Sequence, residues 1–223
     1  MEVKGKKILV IGLARSGMAA IRLLHAAGAD NITLTEQKEV AERAELEAIN
    51  VNIVPQTGDV FKEDYDLVIK NPGISPLKDF VVDLRSRNIP VITEIELAWQ
   101  LCAPQHYIAI TGTNGKTTTT TLTYEFLKKA YGDKAHFAGN IGVPLCEVAL
   151  ENDLLHREGH YIALEMSQGQ LADIDTFKPV PGITCPSGCS RRASSAPQAP
   201  PPTGKGTSGL RTAPPRRRRR LFL

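Results

Sequence analysis

The sequence predicts an α/β protein with two successive parallel-sheet domains, followed by a disordered basic tail. Three observations carry that reading. Short apolar runs of strand length alternate with helical stretches from Lys7 to Glu165, the pattern of parallel strands covered by helices. Two of these strands, Lys7 to Ile11 and Tyr107 to Ile110, run directly into glycine-bearing turns that open helices. After about Pro179 the hydrophobic periodicity stops, and Pro, Ser, Gly and Arg dominate. The expected divisions are 1–103, 104–180 and 181–223.

In the first domain, Lys7-Ile-Leu-Val-Ile11 is continuously apolar, as a strand buried on both faces must be. Gly12-Leu-Ala-Arg-Ser-Gly17 forms the turn, and Met18 to Ala27 a helix closed by Gly28. Ile32 to Thr35 is the next strand, ending at Glu36. This arrangement is similar to a dinucleotide-binding fingerprint, with Ala14 replacing the middle glycine and Glu36 near the acidic ribose position. A plain βαβ turn with glycines for tight packing fits the same residues. The domain is therefore expected to be Rossmann-like. Further along, Val40 to Ile49 reads as a charged helix, Asp66 to Lys70 as a strand and Asn71-Pro-Gly-Ile-Ser-Pro76 as a turn. Phe80 to Arg87 reads as a helix and Ile89 to Ile92 as a strand. Thr93 then starts a helix as N-cap, with Glu96 at capping-box spacing. Ala103-Pro104 marks the boundary.

The second domain opens on Ile108-Ala-Ile-Thr-Gly-Thr-Asn-Gly-Lys-Thr-Thr118, which reads as a phosphate-binding loop. Glycines let backbone N–H groups turn inward around phosphate oxygens, and the following helix adds partial positive charge. Lys116 would reach the β/γ-phosphates, and the Thr117 hydroxyl would hold Mg²⁺. Ile110 stands where the general pattern has glycine. A Thr-rich turn between strand and helix is the plainer alternative, but strand, Gly-Lys-Thr and helix fall in the required order. Strands follow at Lys134 to Phe137 and Tyr161 to Glu165, with the loop Gly139-Asn-Ile-Gly142 and a helix over Leu145 to Leu150 between them. Glu165 closes an apolar strand, where a P-loop fold places an acidic Mg²⁺ ligand. Without the loop, it would read as a surface carboxylate.

Charge is divided unevenly. The whole chain of 223 residues carries +3, but residues from Pro181 onward have no acid and carry +9, leaving −6 on residues 1–180. No apolar run nears the roughly 20 residues that span a bilayer, and the N-terminus lacks a signal-peptide core. Four cysteines form no disulfide framework, so a cytoplasmic protein is expected. Cys185 and Cys189 lack further ligands nearby to complete a metal site. The tail with Arg216 to Arg220 could dock an acidic surface or nucleic acid. Its acid-free composition also matches shifted-frame translation of GC-rich DNA, the favoured reading, under which no nucleic acid is expected as a partner.

The loop T-G-T-N-G-K-T-T resembles that of the Mur ligases, ATP-dependent amide-bond-forming enzymes of peptidoglycan precursor synthesis; folylpolyglutamate synthases share a related loop. Gly12 to Gly17, Asn71-Pro-Gly-Ile74, Thr93-Glu-Ile-Glu-Leu97, Gly139 to Gly142 and Leu164-Glu-Met-Ser167 extend the resemblance to about residues 5–180. It implies the branch that adds D-glutamate to UDP-N-acetylmuramoyl-L-alanine through an acyl phosphate, acting on small molecules as a monomer. By resemblance, Arg15, Ser16 and Gly17 lie near the diphosphate and Glu36 and Gln37 near the uridine, with Asn71 and Gly73 at the rim. Gly112, Thr113, Asn114, Gly115, Lys116, Thr117 and Thr118 would hold ATP, and Thr117 with Glu165 would hold Mg²⁺. Asn140 falls where substrate and nucleotide meet, so Lys116, Asn140 and Glu165 are the expected catalytic residues.

The departures from the family are specific. After Glu-Met-Ser the family continues Ser-Phe-Gln-Leu, whereas this chain has Gln168-Gly-Gln-Leu171, so Gln170 aligns and the aromatic is lost. The family's later strand, its Asp-His-Leu-Asp type motif and its modified lysine do not follow Pro179. The expectation is an incomplete P-loop domain in a C-terminally truncated, frame-shifted chain, inactive as a ligase alone. Two other readings fit the residues: a non-catalytic UDP-sugar-binding module with a basic docking tail, and a ligase of the family adding another amino acid.

Overall fold

The computed structural model describes residues 1–179 and 182–185, arranged on two parallel sheets. The first sheet holds β1 (Ile8–Ile11), β2 (Ile32–Glu36), β3 (Val51–Pro55), β4 (Leu67–Lys70) and β5 (Val91–Ile92), ordered β3-β2-β1-β4-β5. Its helices are α1 (Ala14–Ala26), α2 (Arg43–Ala48), α3 (Asp79–Ser86) and α4 (Glu94–Leu101). Central β1 pairs with both neighbours, Ile8 facing Ile32 on one side and Leu67 on the other. Ile8 and Val10 enter one apolar cluster and Leu9 and Ile11 a second. Successive side chains of a strand point to opposite faces, so a strand with a core on each face must be apolar throughout.

The second sheet holds β6 (His106–Gly112), β7 (Ala135–Gly139), β8 (Tyr161–Glu165) and β9 (Gly182–Cys185), ordered β7-β8-β6-β9. Its helices are α5 (Lys116–Tyr131), α6 (Leu145–Glu151) and α7 (Gln168–Leu171). Residues of α1, α4 and α6 share one apolar cluster with Tyr107, Ile162 and Leu164, so a continuous core joins the two sheets. The C-terminal ends of β6, β7 and β8 come into line, with Ile110 and Gly139 both opposite Glu165.

Several expectations are corrected. The ordered chain does not stop at residue 180: Gly182–Cys185 pairs in parallel with Ala109 to Gly112 of β6. The tail's average composition conceals a Gly-Ile-Thr segment whose β-branched residues suit a strand beside the open edge of β6. The strand β3 went unrecognised because Asn52 and Pro55 interrupt its apolar character. Helix α1 starts at Ala14, earlier than Met18, while α2 is confined to Arg43–Ala48 within the expected 40–49. The capping box at Thr93 and Glu96 does not form. Thr93 is the N-cap of α4 but makes no side-chain cap bond, and its hydroxyl is buried without a partner among the described residues. The Glu96 carboxylate instead accepts N–H groups from Asp175, Thr176 and Phe177 at 2.9–3.2 Å. A capping box does form at Ser167 and Gln170, each side chain accepting the other's backbone N–H. The expectations for Cys189 and Arg216 to Arg220, with the disorder and shifted frame ascribed to residues 186–223, lie outside the described residues.

Candidate active site

The glycine-bearing turn between β6 and α5 forms as the residues demand. Gly112 and Gly115 adopt φ of 134° and 76°, a region costly for residues with a Cβ. A Cβ at Gly112 would lie 2.0 Å from the Cys185 carbonyl oxygen, so glycine is also what lets β9 seat beside the loop. The same carbonyl accepts the Thr113 N–H at 3.2 Å. Lys116, the first residue of α5, folds back so that Nζ donates to the Gly112 carbonyl at 2.8 Å and the Thr113 carbonyl at 3.4 Å. Asn114, Thr117 and Thr118 are exposed. No side chain caps the N-terminus of α5 and no acid sits in its first turn, leaving its partial positive charge free to act on an anion.

Beside the loop, Glu165 is fully buried at the end of β8. Its Oε1 accepts Asn140 Nδ2–H at 3.2 Å, and its backbone carbonyl accepts the Asn140 N–H at 2.9 Å. Its Oε2 is buried with no hydrogen-bond partner among the described residues. A buried carboxylate oxygen lacking a donor, next to the loop that carries the Thr117 hydroxyl, is the oxygen chemistry a hard divalent cation takes, so these residues fit Mg²⁺. Gly139 makes the arrangement possible: at φ 116°, a Cβ there would lie 2.1 Å from the Glu165 carbonyl oxygen.

From the first sheet come the remaining expected residues. A Cβ at Gly17 would lie 2.2 Å from the Gly12 carbonyl oxygen, so Gly17 serves the close packing of α1 on its own turn. Arg15 reaches across to donate from Nη1 to the Gly142 carbonyl at 2.8 Å. Asn71 Nδ2–H donates to Ser16 Oγ at 3.3 Å, and Asn71 Oδ1 accepts the Gly73 N–H at 2.9 Å. A cavity of about 180 Å³ thus brings Arg15, Ser16 and Asn71 together with Asn140 and Gln170. Glu36 faces a separate cavity of about 420 Å³, shared with Arg15 and Arg22. Its carboxylate accepts the N–H groups of Leu13 and Gln37, both at 2.7 Å, tying the glycine turn to β2. Burial works to raise its pKa, but these backbone donors and nearby Lys38 hold it below the ordinary value. Gln37 lines neither cavity.

Glu94 escaped sequence reasoning. It is 2% exposed, yet lines the smaller cavity with Asn140 and Gln170. The Cys146 N–H donates to its Oε2 at 3.0 Å, so a carboxylate on α4 anchors the start of α6 just beyond the Gly139 to Gly142 loop. Burial pushes its pKa up to about 7, against the opposing effect of the Cys146 donors. The available signal was two glutamates flanking Ile95 at the start of a helix whose other residues, Gln100 excepted, are apolar. Among the described residues no group of three or more His, Cys, Asp or Glu side chains could hold a metal ion. No helix among them is long and apolar enough to cross a membrane.

A Rossmann-like parallel sheet followed by a second parallel sheet, with a glycine turn opening a helix and a buried acid at its side, defines the class as α/β. Residues 110–182 match the Mur ligase middle domain. The chain is 44% identical over 179 residues to the UDP-N-acetylmuramoylalanine–D-glutamate ligase of Geobacillus kaustophilus, covering 78% of this chain and 38% of that protein. It is 42% identical over 180 residues to the enzyme of the same name from Listeria monocytogenes serotype 4b, with the same coverage of each. Among solved structures, a murein peptide ligase from Psychrobacter arcticus superposes with a TM-score of 0.46 at 21% identity, over 74% of this chain and 38% of that one. The chain belongs to the Mur ligase family. It spans about 38% of the length of the curated relatives it matches.

Proposed function

We propose that this chain provides the UDP-substrate and ATP sites of a cytoplasmic ligase that joins D-glutamate to UDP-N-acetylmuramoyl-L-alanine. In this reading residues 1–103 form the UDP-substrate domain and residues from 104 the ATP-binding domain. The observation that carries it is the buried Glu165 with its unpartnered Oε2 and its Asn140 partner, set beside the Gly112 to Thr118 loop. That combination supports binding of a nucleoside triphosphate with its cation. Its relatives are UDP-N-acetylmuramoylalanine–D-glutamate ligases, which supports this acceptor and this amino acid.

The residues divide the work by position. The loop amides and the N-terminus of α5 cradle ATP phosphates, while Lys116 exchanges its contacts to the Gly112 and Thr113 carbonyls for phosphate oxygens. Thr117 and Glu165 would hold Mg²⁺, which when bound neutralises charge on the transferring phosphoryl group. Arg15, Ser16 and Asn71 hold the nucleotide-sugar end, with Glu36, Gln37 and Gly73 around it and Gly17 beneath. Asn140, between the two halves, orients the substrate carboxylate toward the γ-phosphoryl group. Attack of that carboxylate on the γ-phosphorus would expel ADP and form an acyl phosphate. The amine of D-glutamate would then attack its carbonyl carbon, expelling phosphate and losing a proton. Such chemistry depends mainly on positioning and charge stabilisation.

The test is calorimetric titration of the chain with a non-hydrolysable ATP analogue plus Mg²⁺, and separately with UDP-N-acetylmuramoyl-L-alanine. Both are expected to bind. Lys116→Ala should weaken the ATP analogue by about a hundredfold or more and leave the UDP ligand unaffected. Unchanged ATP-analogue affinity in that variant would defeat the phosphate-loop assignment.

A further inference from the structure

Lys70 ends β4 as a charged residue only 1% exposed. Its Nζ donates to the Ile74 carbonyl at 2.6 Å and to the Asn71 carbonyl at 3.3 Å, closing the turn that carries Asn71 and Gly73. The same Nζ lies 2.8 Å from Asp173 Oδ2, an ion pair with both side chains fully buried, although its angles fall outside hydrogen-bond geometry. Asp173 Oδ1 accepts from Arg85 Nη2 on α3. Asp173 comes three residues after Gln170, which lines the smaller cavity, and its N–H is bonded to the Gln170 carbonyl. Within α7, Gly169 approaches the same turn so closely that a Cβ would lie 2.7 Å from the Pro72 carbonyl oxygen.

We propose that Lys70 and Asp173 are positioning residues, a buried ion pair that holds the Asn71 to Gly73 rim in register with Gln170 and the Asn140–Glu165 pair. The inference rests on the UDP-substrate reading of the first domain. Its physical basis is that one ammonium group serves two elements. It closes the turn through carbonyls of its own strand end, and it fixes the segment after α7 through Asp173. Apolar side chains of similar volume can replace a buried pair with little loss of stability, so a purely structural pair would be replaced with no change in ligand affinity either. Lys70→Met removes the donor that closes the turn, whatever occupies position 173.

The experiment uses the full chain, wild type beside Lys70→Met/Asp173→Leu and Asp173→Asn. Thermal midpoint is measured with affinities for UDP-N-acetylmuramoyl-L-alanine and for the ATP analogue with Mg²⁺. The double variant is expected to melt near wild type, to bind the UDP ligand about tenfold or more weakly, and to hold the ATP analogue within about twofold. Wild-type affinity for the UDP ligand in a folded double variant overturns the proposal. If the double variant fails to fold, Asp173→Asn in the cold decides: selective loss of the UDP ligand supports the proposal, and equal loss of both ligands overturns it. A wild-type chain that binds the ATP analogue but not the UDP ligand removes the underlying reading itself, and the positioning role falls with it.

Discussion

Glu94 shows how one side chain can tie stability to pH. Its folded-state pKa of about 7 lies above the ordinary carboxylate value of 4.5, because burial disfavours the charge. The folded chain therefore keeps a proton that the unfolded chain has lost. Its contribution is largest below pH 4.5 and disappears as pH rises through about 7, a change on the order of 3 kcal/mol. His136 and His160 act in the opposite sense: burial and neighbouring positive charge depress both, so they stabilise above the unfolded value of 6.5 and cost stability on acidification. Comparing Glu94→Gln with wild type cancels the histidines. The variant's melting temperature relative to wild type should rise between about pH 5 and pH 8. A pH-independent difference would show that Glu94 stays ionised throughout.

At the scale of elements, close approach decides what the loops can do. The loop after β7 reaches Glu165 only because Gly139 has no side chain at φ 116°. Gly139→Ala should cost about 2 kcal/mol or more in denaturant unfolding and should weaken the ATP analogue, since the Asn140–Glu165 contact moves with the backbone. Full stability and full affinity in that variant would remove Gly139 from the site. Helix α4 teaches a related lesson. Thr93 and Glu96 have capping-box spacing, but the Glu96 carboxylate is taken by Thr176, Gln100 and the backbone N–H groups of Thr176 and Phe177. Burial opposes its ionisation, yet these donors hold its pKa below the ordinary value. A local motif loses when a distant segment offers more donors. The least legible strands were β3, whose apolar run is interrupted by Asn52 and Pro55, and β9, which sits in a stretch dominated by Pro, Ser, Gly and Arg.

Across the whole molecule, the two sheets are joined by contacts of several kinds. The apolar cluster running through α1, α4 and α6 is continuous between them. The Glu94 bond to Cys146, the Glu96 bonds to residues 175–177 and the Arg15 bond to Gly142 add polar ties. Trp99 sits at this junction, edge-on to both Tyr107 and Phe177 at about 5.4 and 5.3 Å. It is the sole tryptophan of the chain, so its fluorescence reports the junction alone. Heating should give one transition by Trp99 fluorescence that coincides with far-ultraviolet circular dichroism. An earlier fluorescence change would mean that the sheets part before either unfolds.

The parallel-sheet class, the Gly112 to Gly115 turn into α5 and the acid at the end of β8 could all be read from neighbouring residues. Each depends on a local requirement: apolarity on both faces of a strand, glycine where φ is positive, Gly-Lys-Thr where a helix begins. Gly12 and Gly17 were legible as a turn, and their mutual packing follows from five residues of chain. The tertiary structure decided which polar groups meet. Glu94 finds Cys146 across 52 residues, Glu96 finds Thr176 across 80, and Lys70 pairs with the distant Asp173 in the buried interior. A buried charge takes whatever partner the packed core delivers, because leaving it unpaired costs more than any local preference supplies. No spacing along the chain encodes that choice.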